Sequence, residues 1–527
     1  MSWPKKDLDH VMVTAQQMVN VESEILSSGF PLAALMEKVG QAMTAWILKH
    51  SDLIQAGVVV LVGPGNNGGD GLVVARELYL AGVNVEIWCP LAVNKPLPAQ
   101  HLSHAHWLGI RQIKKPPNVS DKALWIDALF GLAQSRPLPE LIADLFLKRQ
   151  IKMPGRLVSL DVPSGLCSDS GSPLEGGAAF ASFTLTVGLI KQGLVQDLAI
   201  AHVGRLVRID LGVPSNVLDR LPTQLPLRIE ASDWSTVKWP CPPVIANKYQ
   251  RGRVLVVAGS DQYRGAALLA LKGAIASGAG SIRAVIPQLI ADCLWQVAPE
   301  VVVAGVMEKS ANGEMIGSVL STQDLSRVDA LLIGPGLGES EEKWLAISGI
   351  LEDFDGLLVL DADALNRLAF SSEGWKWIQR RKAPTWITPH VAEFRRLFPT
   401  IETLSLLDAA VEAAQLCGAG VLLKGAHTVI ADSMGMRWQL VDTAPWVARS
   451  GLGDLLAGFV TGVGALSLAS EKGISCESLA AAAFVHAQVA RNSRKGTSAS
   501  SLVECLEAGT TIIQSRELIS DDFIGFN

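Results

Sequence analysis

Arg449-Ser450-Gly451-Leu452-Gly453-Asp454-Leu455-Leu456-Ala457-Gly458 decides how the chain is read. Two glycines two apart allow a tight turn and let main-chain N–H groups come up to a ligand. The apolar run behind them, with Leu455, Leu456, Phe459 and Val460, predicts a helix whose positive end sits on those glycines. Free N–H donors and the helix dipole together favour an anion there, a phosphate above all. Asp454 would compete with that anion. It is therefore read as a general base facing a hydroxyl that takes part in phosphoryl transfer. The competing reading is a glycine turn with an Asp helix cap.

The residues before this loop favour the chemical reading. Five short apolar runs each end in polar or glycine-rich residues. Arg253–Ala258 leads to Gly259-Ser260 and a small-residue helix from Gly265. Val328–Ile333 leads to Gly334-Pro335-Gly336-Leu337-Gly338. Leu357–Leu360 leads to Asp361-Ala362-Asp363, Thr385–Ile387 to Thr388-Pro389-His390 with Glu393, and Val421–Leu423 to Lys424-Gly425-Ala426-His427-Thr428. Residues just past the strand ends of a parallel sheet gather at one edge, where ligands bind. Lys424 supplies a point charge for phosphates. No G-x-x-x-x-G-K-[ST] occurs, which excludes a P-loop enzyme. From Val213 to Arg251 periodicity dissolves among Pro214, Pro222, Pro226, Pro240, Pro242 and Pro243, a seam between two domains.

Before the seam the pattern is again strand, loop, helix. Leu32, Leu35, Met36, Val39, Met43, Trp46 and Ile47 form one helical stripe. The β-branched run Gly57–Val62 opens into Gly63-Pro64-Gly65-Asn66-Asn67-Gly68-Gly69-Asp70-Gly71, a helix is expected from Leu72, and Val83–Trp88 completes a βαβ unit. Gly63, Gly65 and Gly68 satisfy the dinucleotide fingerprint, with Glu86 about twenty residues on. Asn66, Asn67 and Asp70 argue instead for a cation or a neutral polar ligand, because a diphosphate cradle wants bare backbone. Two more strands end in acids, Ala123–Ile126 in Asp127 and Leu157–Leu160 in Asp161, the latter followed by Val162-Pro163-Ser164-Gly165. His101, His104 and His106 are spread over a helix surface and are read as solvated rather than metal-binding.

Composition limits the partners. A net charge of −6 without a basic block makes nucleic acid an unexpected partner. Seven cysteines lie far apart with no C-x-x-C, the usage of reduced thiols in a cytoplasmic protein. Apolar runs broken within about ten residues are too short for a bilayer, and the first thirty residues lack signal-peptide order, so no membrane association is expected. Hydrophobic residues make up 49% and aromatics only 6%, which suits sheets covered by helices on both faces. The expected fold class is α/β, in two three-layer αβα domains.

These motifs carry a resemblance. From Val256-Val257-Ala258-Gly259-Ser260 through Gly334–Gly338, Leu360–Asn366, Thr388-Pro389-His390, Lys424–Thr428 and Gly451–Asp454, the second half resembles the ribokinase-like, ADP-dependent NAD(P)H-hydrate dehydratases. From the Met36-Glu37 helix through Gly63–Gly71, Asp127–Gly131, Arg136-Pro137 and Asp161–Gly165 to Thr184–Val187 and Lys191, the first half resembles the Rossmann-like NAD(P)H-hydrate epimerase domain. The order is similar to that of bifunctional enzymes that repair hydrated nicotinamide cofactors. The resemblance implies an epimerase domain over 1–222 and a dehydratase domain over 223–527.

It also implies roles. Asn67, Asp127 and Ser164 would hold potassium. Asn66, Asn67, Gly68, Gly69, Asp70, Gly131, Leu132, Ala133, Gln134, Ser135, Arg136, Pro137 and Asp161 would contact the hydrated dinucleotide. Asp161 is the candidate acid/base of epimerisation, with Asp127 its rival. In the second domain Ala266, Gly336, His390 and Asp454 would touch the hydrate, while Lys424, Gly425, Ala426, His427, Thr428 and Gly453 would hold the adenine nucleotide. ADP with magnesium would be the phosphoryl donor, Asp454 the catalytic base, and AMP and phosphate would be released. The expected partners are NADH-hydrate, NADPH-hydrate and ADP, in a cytoplasmic homo-oligomer. The alternative is a ribokinase-like kinase of a small hydroxylated metabolite. Where the family usually carries Asn-Pro-Gly and Ala-Thr-Gly-Gly before the loop, this chain has Ala444-Pro445-Trp446-Val447-Ala448-Arg449-Ser450.

Overall fold

The computed structural model describes residues 3–522 apart from 133, 310–313, 340–343, 403–404, 443 and 471–472. The chain divides into two compact units, Lys6–Pro226 and Leu227–Asn527, the latter joined by Met1–Lys5. The division falls inside the Val213–Arg251 seam read from the prolines and just beyond the 222/223 boundary that the resemblance implies. Pro226 still belongs to the first unit, its carbonyl accepting from Met12 N–H at 2.9 Å. Leu227 already starts a strand of the second unit. Trp3 joins the second unit by burial, with its main-chain N–H donating to the Glu477 carboxylate at 2.7 Å and its ring 5.6 Å from Phe484.

In the first unit, helices α1 (Ala15–Ser27) and α2 (Leu32–Lys49) precede a seven-stranded parallel sheet. Its strands are β1 (Val58–Val62), β2 (Val85–Trp88), β3 (Arg111–Ile113), β4 (Leu124–Ala128), β5 (Leu157–Leu160), β6 (Phe183–Val187) and β7 (Arg205–Ile209), in spatial order β3-β2-β1-β4-β5-β6-β7. Every residue of β1 and β4 is buried, so both faces are covered, which is why these strands read as unbroken apolar runs. Helix α3 (Asn66–Leu80) covers the Val60 and Ala128 face; α4 (Pro96–Trp107) packs on α3. Helix α5 (Glu140–Lys152) covers the other face, with Ile142, Leu145 and Phe146 against Val59, Leu61 and Trp125. Strand order reverses between β1 and β4, the point where a doubly wound sheet opens a crevice.

The glycine-rich segment differs from its reading as a long loop. Only Gly63–Gly65 is loop; α3 starts at Asn66 and takes in Gly68, Gly69, Asp70 and Gly71. Poor helix propensity is outweighed by packing that leaves no room for side chains. A Cβ at Gly68 would lie 2.0 Å from the Gly63 carbonyl oxygen, and one at Gly71 2.4 Å from Ala128 Cβ. The histidines on α4 also divide: His104 and His106 are exposed, whereas His101 is half-buried, 3.9 Å from Glu37.

The second unit contains a ten-stranded sheet. Its strands are β8 (Leu227–Ile229), β9 (Arg253–Val257), β10 (Ser281–Ile286), β11 (Val302–Val306), β12 (Ala330–Ile333), β13 (Leu357–Leu360), β14 (Thr385–Ile387), β15 (Gly420–Leu423), β16 (Val429–Ala431) and β17 (Arg437–Leu440). The spatial order is β8-β17-β16-β15-β14-β13-β12-β9-β10-β11, parallel except where β16 pairs with β15 and β17. The order reverses between β12 and β9. Helices α6 (Arg264–Ala276), α7 (Asp363–Ala369), α8 (Val391–Leu397), α9 (Leu406–Cys417), α10 (Leu452–Ala469) and α11 (Cys476–Asn492) flank it. Alternation along the strands sorts the faces. Leu358 and Leu360 join the core under α7 and α9, while Leu357 faces α10, where a Cβ at Gly464 would lie 2.2 Å from its Cδ2.

Helix α10 is long and apolar enough to cross a bilayer by length and composition, contrary to the expectation of short broken runs. Most of its length is buried inside this unit, where it packs along α6.

Candidate active sites

A cavity of about 770 Å³ opens at the β1/β4 crevice of the first unit. Asn66, Asn67, Asp70, Gly131, Leu132, Gln134, Ser135, Arg136, Pro137 and Asp161 all line it. Gly68 and Gly69 do not; they are helical and pack against Gly63 and Met36. Ala133 lies outside the described residues. Asp127 and Ser164 are fully buried in a network of their own. Ser164 Oγ donates to Asp127 Oδ1 at 2.6 Å, and Ser164 N–H and Ser159 Oγ donate to Oδ2 at 2.8 and 3.0 Å. Burial pushes the Asp127 carboxyl up, opposed by these donors. Asn67 Oδ1 and Nδ2 are buried without a partner among the described residues.

Asp161 follows β5 at φ 64°, a left-handed conformation that costs a non-glycine residue energy and is concentrated at functional sites. That turn aims its Oδ1 at Lys191 Nζ, 2.6 Å away, and at Val187 N–H, 3.2 Å away. Lys191 is fully buried, and its ammonium is saturated by Asp161, Thr186 Oγ1 at 3.1 Å and the Val187 carbonyl at 2.7 Å. Lys191 marked only the end of a motif in the sequence; nothing there linked it to Asp161. Glu22, on α1, also lines the cavity and stood in no motif. Burial and then the Asp161 charge push it up to about 7, Lys191 opposing. Asp70 is pushed well above the carboxylate range by burial, then by Asp161 and Glu22.

In the second unit, residues from the ends of β13, β14 and β15 gather at the start of α10. Asp361, buried after β13, accepts from Lys424 Nζ at 2.7 Å and from Thr388 Oγ1 at 2.8 Å, so β13, β14 and β15 are joined by one carboxylate. The next residue, Ala362, is held at φ 49°, a second strained position. Lys424 Nζ lies 3.7 Å from where a Cβ of Gly453 would stand. Burial works against its ammonium, but Asp361, Glu393 and Asp454 raise its pKa.

Asp454 is in the first turn of α10, behind Gly451 at φ 84°. The amides of the first turn have no acceptor within the helix. Burial and then Asp361 push its carboxyl up to about 6; Lys424 opposes, while Asp363 and Glu393 add to the rise. Gly336 and Ala266 come together across the β9/β12 switch, a Cβ on Gly336 falling 2.7 Å from that of Ala266. His390 bridges to Lys424, whose N–H meets the Pro389 carbonyl at 2.9 Å. Its Nδ1 caps α8, accepting from Ala392 and Glu393 N–H, which leaves Nε2 3.3 Å from Glu393 Oε1. Gly425–Thr428 forms the turn between β15 and β16, closed by Thr428 Oγ1 donating to the Gly425 carbonyl at 3.3 Å, with His427 buried and Ala426 exposed. Asp361, Asp363 and Thr388 stood in motifs without a role; the doubled acid after β13 was the signal.

Trp446 is tied to α11, and Arg449 folds back on its own segment. Trp446 Nε1 donates to the Arg491 carbonyl at 3.2 Å, and Arg449 donates to the carbonyls of Trp446 and Val447. Among the described residues no group of three or more His, Cys, Asp or Glu side chains is arranged to hold a metal.

Comparison with known proteins covers both halves. Residues 254–512 match the family model described as NAD(P)H-hydrate dehydratase, and residues 32–193 that described as YjeF-related protein N-terminus. The bifunctional NAD(P)H-hydrate repair enzyme Nnr of Synechocystis sp. is 38% identical over 90% of this chain and 89% of its own. The protein of that name in Gloeobacter violaceus is 38% identical over 85% and 88%, and that in Thermofilum pendens 33% over 84% of each. Among solved structures, an ADP/ATP-dependent NAD(P)H-hydrate dehydratase from Bacillus subtilis covers 54% of this chain and 96% of its own at 23% identity, with a TM-score of 0.42.

Proposed function

The chain belongs to the family of bifunctional NAD(P)H-hydrate repair enzymes, and from that premise we propose how its two sites divide the work. The first-unit cavity interconverts the R and S epimers of NADH-hydrate and NADPH-hydrate. The second-unit site dehydrates the S epimer with ADP as phosphoryl donor.

The observation that carries the second role is Asp454: a carboxyl raised to about 6, beside an ammonium, at a helix N-terminus. A hydroxyl on the reduced ring is a poor leaving group. Asp454 takes its proton as the oxygen attacks the terminal phosphorus of ADP. The α10 amides and Lys424 offset the charge that develops. AMP leaves, the ring-nitrogen lone pair then expels phosphate from the ring carbon, the adjacent ring carbon gives up a proton to solvent, and the double bond re-forms as NAD(P)H. Magnesium would arrive on the nucleotide phosphates, since the described residues offer it no cage of their own.

In the first unit the donor set suits potassium. Asn67 has an orphaned buried amide, and the Asp127 carboxylate is met only by neutral donors. Asn67, Asp127 and Ser164 would hold the ion, which would offset the buried charge beneath the cavity. Asp161, with Lys191 as its counter-ion, is the acid/base, whereas Asp127 is walled off by its own hydrogen bonds. All seven cysteines are free, which supports a cytoplasmic setting. A homo-oligomer without nucleic-acid or membrane partners completes this reading.

The test is to incubate the protein with mixed hydrate epimers, with and without ADP. Both epimers should disappear with ADP as nicotinamide absorbance returns and free phosphate appears, and the epimers should equilibrate without it. A stable phosphorylated alcohol would instead point to a small-metabolite kinase.

A further inference from the structure

Glu22 is a cavity acid that the proposed chemistry has not used. It lies on α1, far in sequence from every glycine loop and strand-end motif, yet lines the same cavity as Asp161 and Asp70. No hydrogen bond or ion pair to its carboxyl is made among the described residues. Asp161, by contrast, is committed on Oδ1 to Lys191 and Val187, while its Oδ2 lies 3.3 Å from the position of a Cβ at Gly131, a cavity-lining residue. One acid therefore has a fixed cationic partner, and the other faces the cavity with none.

The hydrate requires two such groups. Water added across an enamine puts the hydroxyl on the carbon bonded to the ring nitrogen. That carbon can invert by opening: the hydroxyl loses its proton, a C=O bond forms, and the C–N bond breaks with its electron pair going to nitrogen. Nitrogen must then gain a proton. Rotation presents the other face of the aldehyde, nitrogen re-adds, and both protons return. Nothing is consumed, and the step needs a base on oxygen and an acid on nitrogen at the same moment.

We propose that Glu22 is that acid, giving its proton to the ring nitrogen while Asp161 takes the hydroxyl proton, with the roles reversed on closure. This rests on the epimerase reading of the cavity. The groups that face Glu22 are Asp161 and Lys191 from the strand ends and Asp70 from α3; Glu24 on its own helix is turned to Arg220. Two carboxyls whose surroundings differ this way can divide acid and base work. Asp70 is raised as well, by burial and then by both other acids.

The test is epimerisation by the full-length protein, measured without ADP and corrected for the buffer-only rate at each pH. Wild-type kcat should fall as pH rises through about 7, where Glu22 loses its proton. Glu22→Gln should lower kcat by about 10²–10⁴-fold, abolish that alkaline fall and leave KM for the hydrate unchanged. A variant that keeps wild-type kcat, or a wild-type profile flat across neutral pH, overturns the proposal while leaving the epimerase reading intact. Wild-type protein that does not epimerise at all overturns both.

Discussion

Asp454 shows how little of a residue's chemistry is local. Its place after Gly-Leu-Gly marks it as an acid at a helix start, but its raised carboxyl comes from burial and from acids far away in sequence, the Asp361 and Asp363 pair after β13 and Glu393 on α8. Asp454→Asn should reduce ADP-dependent dehydration by about 10²–10⁴-fold and leave epimerisation at the wild-type rate. Assays of the two activities on one preparation check this. Because the base works ionised, dehydration should also decline as pH falls through about 6. Lys191 offers the matching experiment in the first unit. Lys191→Met takes the buried counter-ion from half-buried Asp161, which the cavity can solvate in part. The loss should therefore fall short of the ~3–5 kcal/mol that breaking a fully buried pair costs. Denaturant melts should show that loss for the first unit, together with lost epimerisation.

At the scale of elements, both sites depend on helices brought unusually close. Helix α10 lies against α6 because glycines face main-chain atoms across the contact. A Cβ at Gly458 would lie 1.8 Å from the Ala270 carbonyl oxygen, and one at Gly273 2.1 Å from that of Leu455. Gly458→Ala must push the helices apart, which typically costs about 1–3 kcal/mol. It should lower the melting temperature and depress dehydration, since Asp454 rides on α10, while epimerisation persists. The helices themselves were legible from apolar spacing. The start of α3 was not, because glycine argues against a helix locally and only the neighbours Gly63 and Ala128 explain why nothing larger fits.

For the whole molecule, each unit has its own sheet, its own switch point and its own site, so the activities should respond separately to conditions. Epimerisation is expected to fade above neutrality and dehydration below about pH 6, giving opposite limbs in paired pH profiles. Parallel limbs would count against the assignment of a protonated acid to one site and an ionised base to the other.

Strands, loops and the acid of the glycine turn were written in the sequence, because alternation, β-branched runs and glycine spacing act over a few neighbouring residues. Pairings across long stretches of chain were not: Lys191 on Asp161, Lys424 and Thr388 on Asp361, and Glu22 in the cavity of the first unit. Strand order and parallel register alone bring those side chains together. Charge state depends on burial and on what stands opposite, and neither exists until the sheet has formed.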